Sequence, residues 1–487
     1  MSTLQNCSNV IIFYAEDLGF GDLGRYGGKG IPTPYLDQLA EQSQVFYNAH
    51  AAAATCTPSR YSLLTGSYPW RNKRAAVVNG DAKMIIDSGS PTLASMFKDA
   101  GYTTGVVGKW HLGLGEKEQN WNGAMDAVPL DIGFDYSFIM PATNDRVPCV
   151  YLEGRHVVGL DPADPLDISY DQPFPGMPTG KDNPELLTMK YSHGHDMAIV
   201  NGISRIGYMK GGQSAWWKDE EMAEVFLEKA VSFVREHRNR PFFLYYALHQ
   251  PHVPRVPGPR FAGKSELGPR GDVIMERDWF VGQVLNTLEE LGLDEDTIVI
   301  FSSDNGPVLD DGYQDQAAVL VGDHKPAGLL RGGKYSMYDG GTRTPFILRW
   351  PKVVESGESD ALVGHLDLYA SFAQLLGQPL PQDGALDSLD LLDTFLGNDK
   401  IGRVELVTEG LQSKHVLRQG EWVYLPPYEG PAINVQVNME LGHASHAQLY
   451  NLAHDLGQQQ NLAQQYPGVV REMDKRLTEI LKSERTR

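Results

Sequence analysis

Five runs of apolar, β-branched and aromatic residues punctuate the chain: NVIIFYAED, YTTGVVGKWH, PFFLYYALHQPH, DTIVIFSSDN and TPFILRW. None alternates with polar residues. A strand that is apolar at successive positions must be covered on both faces, which is the condition of a parallel strand inside a layered α/β sheet. Segments with apolar residues at helical spacing lie between the runs. Thr33-Pro34 reads as N-cap and first-turn proline of YLDQLAEQ. Ser90-Pro91 reads the same way for TLASMFKDAG, with Gly101 as its stop. EEMAEVFLEKAVSFVREH and DVIMERDWFVGQVLNTLEELG are the longer helices. Alternating strands and helices predict a large α/β domain with a mainly parallel mixed sheet flanked by helices. From about residue 400 the pattern changes to short strands joined by turns, RVELVTEG, KHVLRQGEWVYLP and HAQLYNLAHD, and then one amphipathic helix, PGVVREMDKRLTEILKS. This predicts a smaller C-terminal α+β domain with an antiparallel sheet. The expected division is 1–400 and 401–487, with a loop-rich, Gly-, Pro- and His-bearing insertion at about 141–215.

A chain of 487 residues accommodates such a large domain and a smaller one. Its 42 basic and 62 acidic residues give a net charge of −20, which repels nucleic acid over most of the surface. No apolar run approaches the roughly 18 residues needed to span a bilayer. The N-terminal MSTLQNCSNVIIFYAEDLGF lacks a basic region, so no signal peptide is read there. The chain as written reads as cytoplasmic, or as periplasmic or secreted if a leader was removed; the compartment stays open. Three cysteines, Cys7, Cys56 and Cys149, cannot build a disulfide framework.

Ligands of an open parallel sheet bind at the carboxyl ends of its strands. Four of the five runs end in reactive groups: Glu16-Asp17, Lys109-Trp110-His111, the stretch holding His249 and His252, and Asp304-Asn305. Glu16, Asp17, Asp304 and Asn305 are hard oxygen donors and suit Ca²⁺ or Mg²⁺ rather than Zn²⁺. The plainer reading makes the acidic residues turn or helix caps. Cys56 precedes Thr57-Pro58, a helix start whose N–H groups favour an anion, and Arg60 lies one turn along. A buried structural cysteine is the competing reading.

CTPSRYSLLTG resembles the signature of the type I sulfatases, C-x-P-S-R with a Leu-Thr-Gly ending. EDLGFGDLGRYG is similar to that family's N-terminal metal segment, GKWHLG to its Lys-x-His segment and SDNGP to its second metal segment. GLLRGGKYSMYDGGTRTP is similar to its late lysine loop and LYNLAHDLGQQQNLA to its C-terminal subdomain. The matches run in family order from residue 10 to about 465. The resemblance implies an arylsulfatase-like enzyme of the alkaline-phosphatase-like superfamily. It implies that Cys56 is converted to Cα-formylglycine by a maturation enzyme that reads Pro58 and Arg60. By the same resemblance, Glu16, Asp17, Asp304 and Asn305 hold one divalent cation, Ca²⁺ with Mg²⁺ as an alternative, which the modified Cys56 also touches. Arg60 steadies the formylglycine hydrate, Lys109 and Lys334 hold the sulfate group, and Thr143 and Asn144 add polar substrate contacts. One hydrate hydroxyl, deprotonated with help from Asp304, attacks sulfur. His252, with Lys334, attends the departing alcohol oxygen; His111 takes the second hydroxyl's proton as sulfate leaves. His249 is structural in this reading. Glu16 departs from the family's Asp-Asp pair, and its extra methylene moves the carboxylate outward.

A sulfate monoester is an anion, so its nucleophile needs local positive charge. Two opposite charges about 4 Å apart attract by roughly 4 kcal/mol at an effective dielectric near 20. The expected function is therefore hydrolysis of a sulfate monoester. By family analogy the substrate is a sulfated sugar or polysaccharide fragment rather than a small aryl ester. Arg146, Arg155, His193, His195, Arg205 and the pair Trp216-Trp217 suit such a saccharide and equally suit a solvated loop. Two alternatives stand beside this reading. One is a phosphatase or phosphodiesterase of the same superfamily, whose sites use Thr or Ser and two Zn²⁺. The other is a non-catalytic sulfated-glycan-binding protein, which Glu16 alone supports.

Overall fold

The computed structural model describes residues 8–487; Cys7 and the rest of the extreme N-terminus lie outside the described residues. Ten strands form one mixed sheet: β1 (Asn9–Ala15), β2 (Gln44–Phe46), β3 (Thr103–Lys109), β4 (Tyr136–Met140), β5 (Leu152–Glu153), β6 (His156–Val157), β7 (Phe242–Ala247), β8 (Thr297–Ser303), β9 (Phe346–Arg349) and β10 (Gly357–Ser359). Their spatial order is β10-β2-β9-β8-β1-β7-β3-β4-β5-β6. The centre, β8-β1-β7-β3-β4, is wholly parallel. Its strands are buried almost throughout, as their unalternating sequences require. Helices α1 (Pro34–Glu41), α2 (Cys56–Thr65), α3 (Leu93–Asp99), α4 (Met222–His237), α5 (Gly268–Glu290) and α6 (Leu368–Leu376) belong to this layered body.

TPFILRW is a strand but not a parallel one: β9 runs antiparallel to β8 and to β2. Composition records that a strand is covered on both faces, not its direction, which is set by the long excursion between Ser303 and Phe346. The fifth parallel strand is instead β4, a run too short to stand out in the sequence. One helix start differs from expectation. Thr92, not Ser90-Pro91, caps α3: its Oγ1 accepts the Ser95 N–H at 3.1 Å, and Ser95 Oγ accepts the Thr92 N–H at 2.8 Å. Thr33 and Pro34 open α1 as expected, with the Thr33 hydroxyl accepting the Gly24 N–H at 3.0 Å instead of a helix N–H.

Beyond residue 400, β11 (Glu405–Gly410), β12 (Lys414–Gln419), β13 (Trp422–Leu425) and β14 (Gln448–Asn451) form an antiparallel sheet. Helix α7 (Pro467–Lys482) packs Met473, Leu477 and Ile480 into a small core with Leu417, Tyr424 and Leu449. The edge of this sheet reaches the segment before Cys56. Glu409 donates its N–H to Ala52 O at 2.9 Å, and Ala54 donates to Glu409 O at 2.7 Å. Among the described residues no helix is long and apolar enough to cross a membrane.

Two local devices deliver side chains to the strand ends. Gly108, just before Lys109, has φ +107°, and a Cβ there would lie 2.0 Å from Ala247 O. The close pass of β3 beside β7 thus requires glycine. The loop carrying His252 is held by Glu276 of α5, whose carboxylate accepts the Gln250 Nε2–H at 2.5 Å and the Gly258 N–H at 2.9 Å. Burial pushes Glu276 up to about 7.

Gly108→Ala is expected to cost about 3 kcal/mol, read as a lowered urea midpoint at unchanged m. The folded protein holds the Glu276 proton more tightly than the unfolded chain does. That contribution to stability is therefore full below about pH 4.5 and lost as pH rises through about 7. Urea unfolding at pH 5 and pH 8 should show wild type losing about 3 kcal/mol relative to Glu276→Gln over that interval; parallel pH profiles would contradict it.

Candidate active site

Glu16 and Asp17 follow β1, and Asp304 and Asn305 follow its neighbour β8, so parallel pairing puts both acidic pairs at one sheet edge. The Asp17 N–H donates to Asp304 Oδ1 at 3.3 Å, and Asn305 Nδ2 donates to Asp17 Oδ1 at 2.8 Å. Lys109 ends β3, with His111 two residues on; His252 leaves β7 through the loop that Glu276 holds. Helix α2 begins at Cys56 and brings Arg60 in one turn along. Lys334 arrives on the loop before β9. All these side chains are buried.

Arg60 is the hub. Its Nε and Nη2 donate to Asp304 Oδ2 at 3.0 and 2.7 Å, and Nη2 also reaches Glu16 Oε2 at 3.1 Å. Nη1 donates to the Tyr245 hydroxyl at 3.2 Å. The Cys56 thiol lies 3.1 Å from Glu16 Oε1, which also receives Lys109 Nζ. The longer glutamate thus carries its carboxylate into the group of Cys56, Arg60 and Lys109. Lys334 Nζ donates to Asp17 Oδ2 and Asp311 Oδ2, each at 2.8 Å.

The histidine tautomers follow from their carbonyl partners, which can only accept. His111 donates from Nε2 to Val78 O at 2.9 Å, leaving Nδ1 as a buried lone pair with no partner. His252 donates from Nδ1 to Val253 O at 2.7 Å, which leaves Nε2 3.6 Å from Glu16 Oε1 and 3.9 Å from Asp17 Oδ2. Burial, then Lys109 and Arg146, hold His111 well below the usual imidazole range; burial, then Lys334, does the same for His252. Burial pushes the Cys56 thiol up, so it is a neutral thiol. Burial also lowers Lys109 well below the usual amine range. Burial opposes the charge on Lys334 too, but Asp17 and Asp311 outweigh it and hold Lys334 well above that range. Asp17 is raised to about 6, mainly by burial, with Asp311 and Asp304 adding to the effect.

Two sets among the described residues bring ligand atoms within 4.8 Å of one another: Glu16, Cys56 and His252, and Asp17, His252 and Asp311. By donor type Glu16, Asp17, Asp304 and Asn305 suit a hard divalent cation, although neither set includes Asp304, whose Oδ2 is engaged by Arg60. Asn305 turns its amide donor to Asp17, so its Oδ1 is a buried acceptor without a partner. Asp17, at φ +50°, and His111, at φ +56°, both adopt left-handed backbone, which costs an L-residue about 1–3 kcal/mol and collects at functional sites.

Thr143 and Asn144 follow β4 and brace the same region. Asn144 Nδ2 donates to Pro254 O at 3.1 Å, and Thr143 Oγ1 donates to Asp145 Oδ1 while accepting Arg146 Nη1 at 2.7 Å. Of the other insertion residues, Arg146, His195 and Arg205 reach this region: the first two bond to Asp145, and Arg205 Nη1 donates to Asn144 O at 2.6 Å. Arg155 pairs instead with Asp131, Arg205 is buried against Asp219 at 2.8 Å, and Trp217 lies in the core. His249 is buried against the Phe226 ring and lowered to about 3, mainly by burial. Sequence reading missed Asp145, Tyr245, Asp311 and Tyr335. Asp145 directly follows Asn144, and Tyr335 directly follows Lys334 in GGKYSM, so both were within reach; Tyr245 and Asp311 carry no motif.

A family model described as Sulfatase matches residues 8–378. An N-acetylgalactosamine-6-O-sulfatase of Bacteroides thetaiotaomicron is 51% identical over 480 residues, covering 98% of this chain and 93% of that protein. Human arylsulfatase A is 33% identical over 399 residues, 82% of this chain and 69% of that protein. A solved structure, titled for the metabolism of multiple glycosaminoglycans by Bacteroides thetaiotaomicron, is 50% identical. It superposes with a TM-score of 0.97 over 98% of this chain and 100% of that one. Likeness that extends from the strand-end acids through the Cys56 helix to the C-terminal sheet leaves one conclusion: the chain belongs to the sulfatase family and is a sulfuric ester hydrolase.

Proposed function

We propose that the enzyme removes the 6-O-sulfate of an N-acetylgalactosamine residue in a glycosaminoglycan fragment, with Cys56 converted to Cα-formylglycine and one divalent cation, Ca²⁺ or Mg²⁺, beside it. The relative at 51% identity supports the sugar and the position. The buried charge supports the chemistry. The carboxylates Glu16, Asp17, Asp304 and Asp311 face the fixed cations Arg60 and Lys334 and the Lys109 amine, whose charge burial disfavours; Asp145 and Arg146 offset each other. The pocket is therefore left with net negative charge, which a divalent cation offsets so that an anionic sulfate monoester can bind.

When present, formylglycine as its hydrate supplies the nucleophilic hydroxyl and the cation supplies neutralising charge. The chain's own side chains do the rest. Glu16, Asp17, Asp304 and Asn305 hold the cation, and Arg60 keeps Glu16 and Asp304 aligned. Lys109 and Lys334 bind sulfate oxygens. His111 accepts a proton at its unpartnered Nδ1. His252 delivers one from Nε2 to the leaving oxygen. A bound sulfate anion favours protonated His252, opposing the burial that otherwise holds it neutral. A neutral buried thiol is a poor nucleophile, which also favours the modified form of Cys56.

Of the alternatives, a two-cation phosphatase is disfavoured because Lys334 Nζ already lies between Asp17 and Asp311. The convergence of Cys56, Arg60, Lys109, His111 and His252 speaks against a binding protein without turnover.

Released sulfate should be greatest from N-acetylgalactosamine 6-sulfate, compared with the 4-sulfate, an aryl sulfate and an aryl phosphate. Preference for the phosphate would overturn the reaction class, and preference for the 4-sulfate would overturn the position. Chelation should lower kcat/KM by at least about a hundredfold, restored by Ca²⁺ or Mg²⁺. In mass spectra of the active enzyme, the Cys56 peptide should carry an aldehyde in place of the thiol, and Cys56→Ala should abolish turnover. An intact thiol in fully active protein would refute the modification.

A further inference from the structure

Asp17, His252 and Asp311 bring potential ligand atoms within 4.8 Å of one another, yet the space between the two carboxylates is taken by the Lys334 ammonium. It is 2.8 Å from an oxygen of each. Asp311 is buried and both its oxygens are engaged, Oδ2 by Lys334 and Oδ1 by the Tyr335 hydroxyl at 2.9 Å. Tyr335 is fixed in turn: its φ is +79°, and its N–H donates to Ala54 O at 2.7 Å, two residues before Cys56. Asp311 is thus a rigid acceptor, whereas Asp17 is a shared one.

That sharing conflicts with the cation site. The Asp17 oxygen that accepts Lys334 belongs to the carboxylate assigned above to the cation, and an ammonium 2.8 Å from it repels a second positive charge. Lys334 can withdraw from Asp17 only if another buried carboxylate keeps its charge compensated, since an unpaired buried ammonium costs several kcal/mol.

We propose that Asp311, braced by Tyr335, is a positioning residue that takes over Lys334 when a divalent cation claims Asp17, leaving the ammonium's remaining N–H groups for the sulfate. The assignment rests on the reading of Asp17 as a cation ligand. It gives the chain a coupling between cation binding and delivery of Lys334. Glu16 also accepts an ammonium, that of Lys109, but among the described residues Lys109 has no second carboxylate in contact to take it over.

The test is Ca²⁺ titration of chelator-stripped full-length protein, by calorimetry and by the Ca²⁺-dependent rise in Tm, which needs no turnover. Asp311→Asn should weaken Ca²⁺ binding about tenfold, a coupling typical of buried groups in contact. Lys334→Met should bind Ca²⁺ at least as tightly as wild type. In the Lys334→Met background, Asp311→Asn should change affinity by less than about threefold. Tyr335→Phe, which removes only the brace, should weaken binding less than Asp311→Asn and only while Lys334 is present. Equal weakening by Asp311→Asn in both backgrounds would reduce Asp311 to a distant charge and overturn the proposal, as would no weakening in either. Wild type without saturable Ca²⁺ binding would overturn the cation reading itself, and this inference with it.

Discussion

Arg60 holds a positive charge with no exposed surface, and most of the site is arranged around it. A guanidinium in that position is tolerated only when carboxylates meet it closely. Asp304 and Glu16 do so from the ends of two adjacent parallel strands, while the Tyr245 hydroxyl accepts from the far side. The same residue ties the Cys56 helix to the sheet, because Arg60 lies one turn after Cys56 on the same face of α2. One ion-paired hub therefore fixes how far Cys56 stands from the acids.

The surrounding groups are held without slack but left short of partners. His111 Nδ1, Asn144 Oδ1, Arg146 Nε and Asn305 Oδ1 are buried polar atoms with no protein partner, each costing about 1–3 kcal/mol. Asp17, His111 and Tyr335 add left-handed backbone. Such costs persist where the rest of the fold overdetermines the geometry. The small C-terminal sheet contributes to that rigidity, since its edge strand pairs with the Ala52–Ala54 segment leading into Cys56.

Much of this was legible in order along the chain. Unalternating apolar strands ending in Glu16-Asp17, Lys109, His252 and Asp304-Asn305 predicted a sheet edge carrying the chemistry, and those groups do converge. The direction of β9 was not legible, nor was the membership of β4, because burial on two faces leaves the same composition in either orientation. The cap of α3 was misplaced by a residue or two because Ser90, Pro91 and Thr92 are all competent starts, and only the reciprocal bonds of Thr92 with Ser95 decide among them. In the insertion and just beyond it, Arg205 and Trp217 look in sequence like surface recognition residues. They are core residues because Asp219 pairs with the arginine and the core encloses the indole.

The sequence by itself determined which chemical groups this protein brings to its strand ends, because residue type and apolar periodicity are local properties of the chain. Only the tertiary structure decided which of those groups share a proton, a charge or a ligand oxygen. Asp311 meets Lys334, Tyr245 meets Arg60 and Glu16 turns toward Cys56 through contacts between residues distant in sequence. No spacing along the chain records such contacts, since they exist only once the sheet, the Cys56 helix and the lysine loop have packed together.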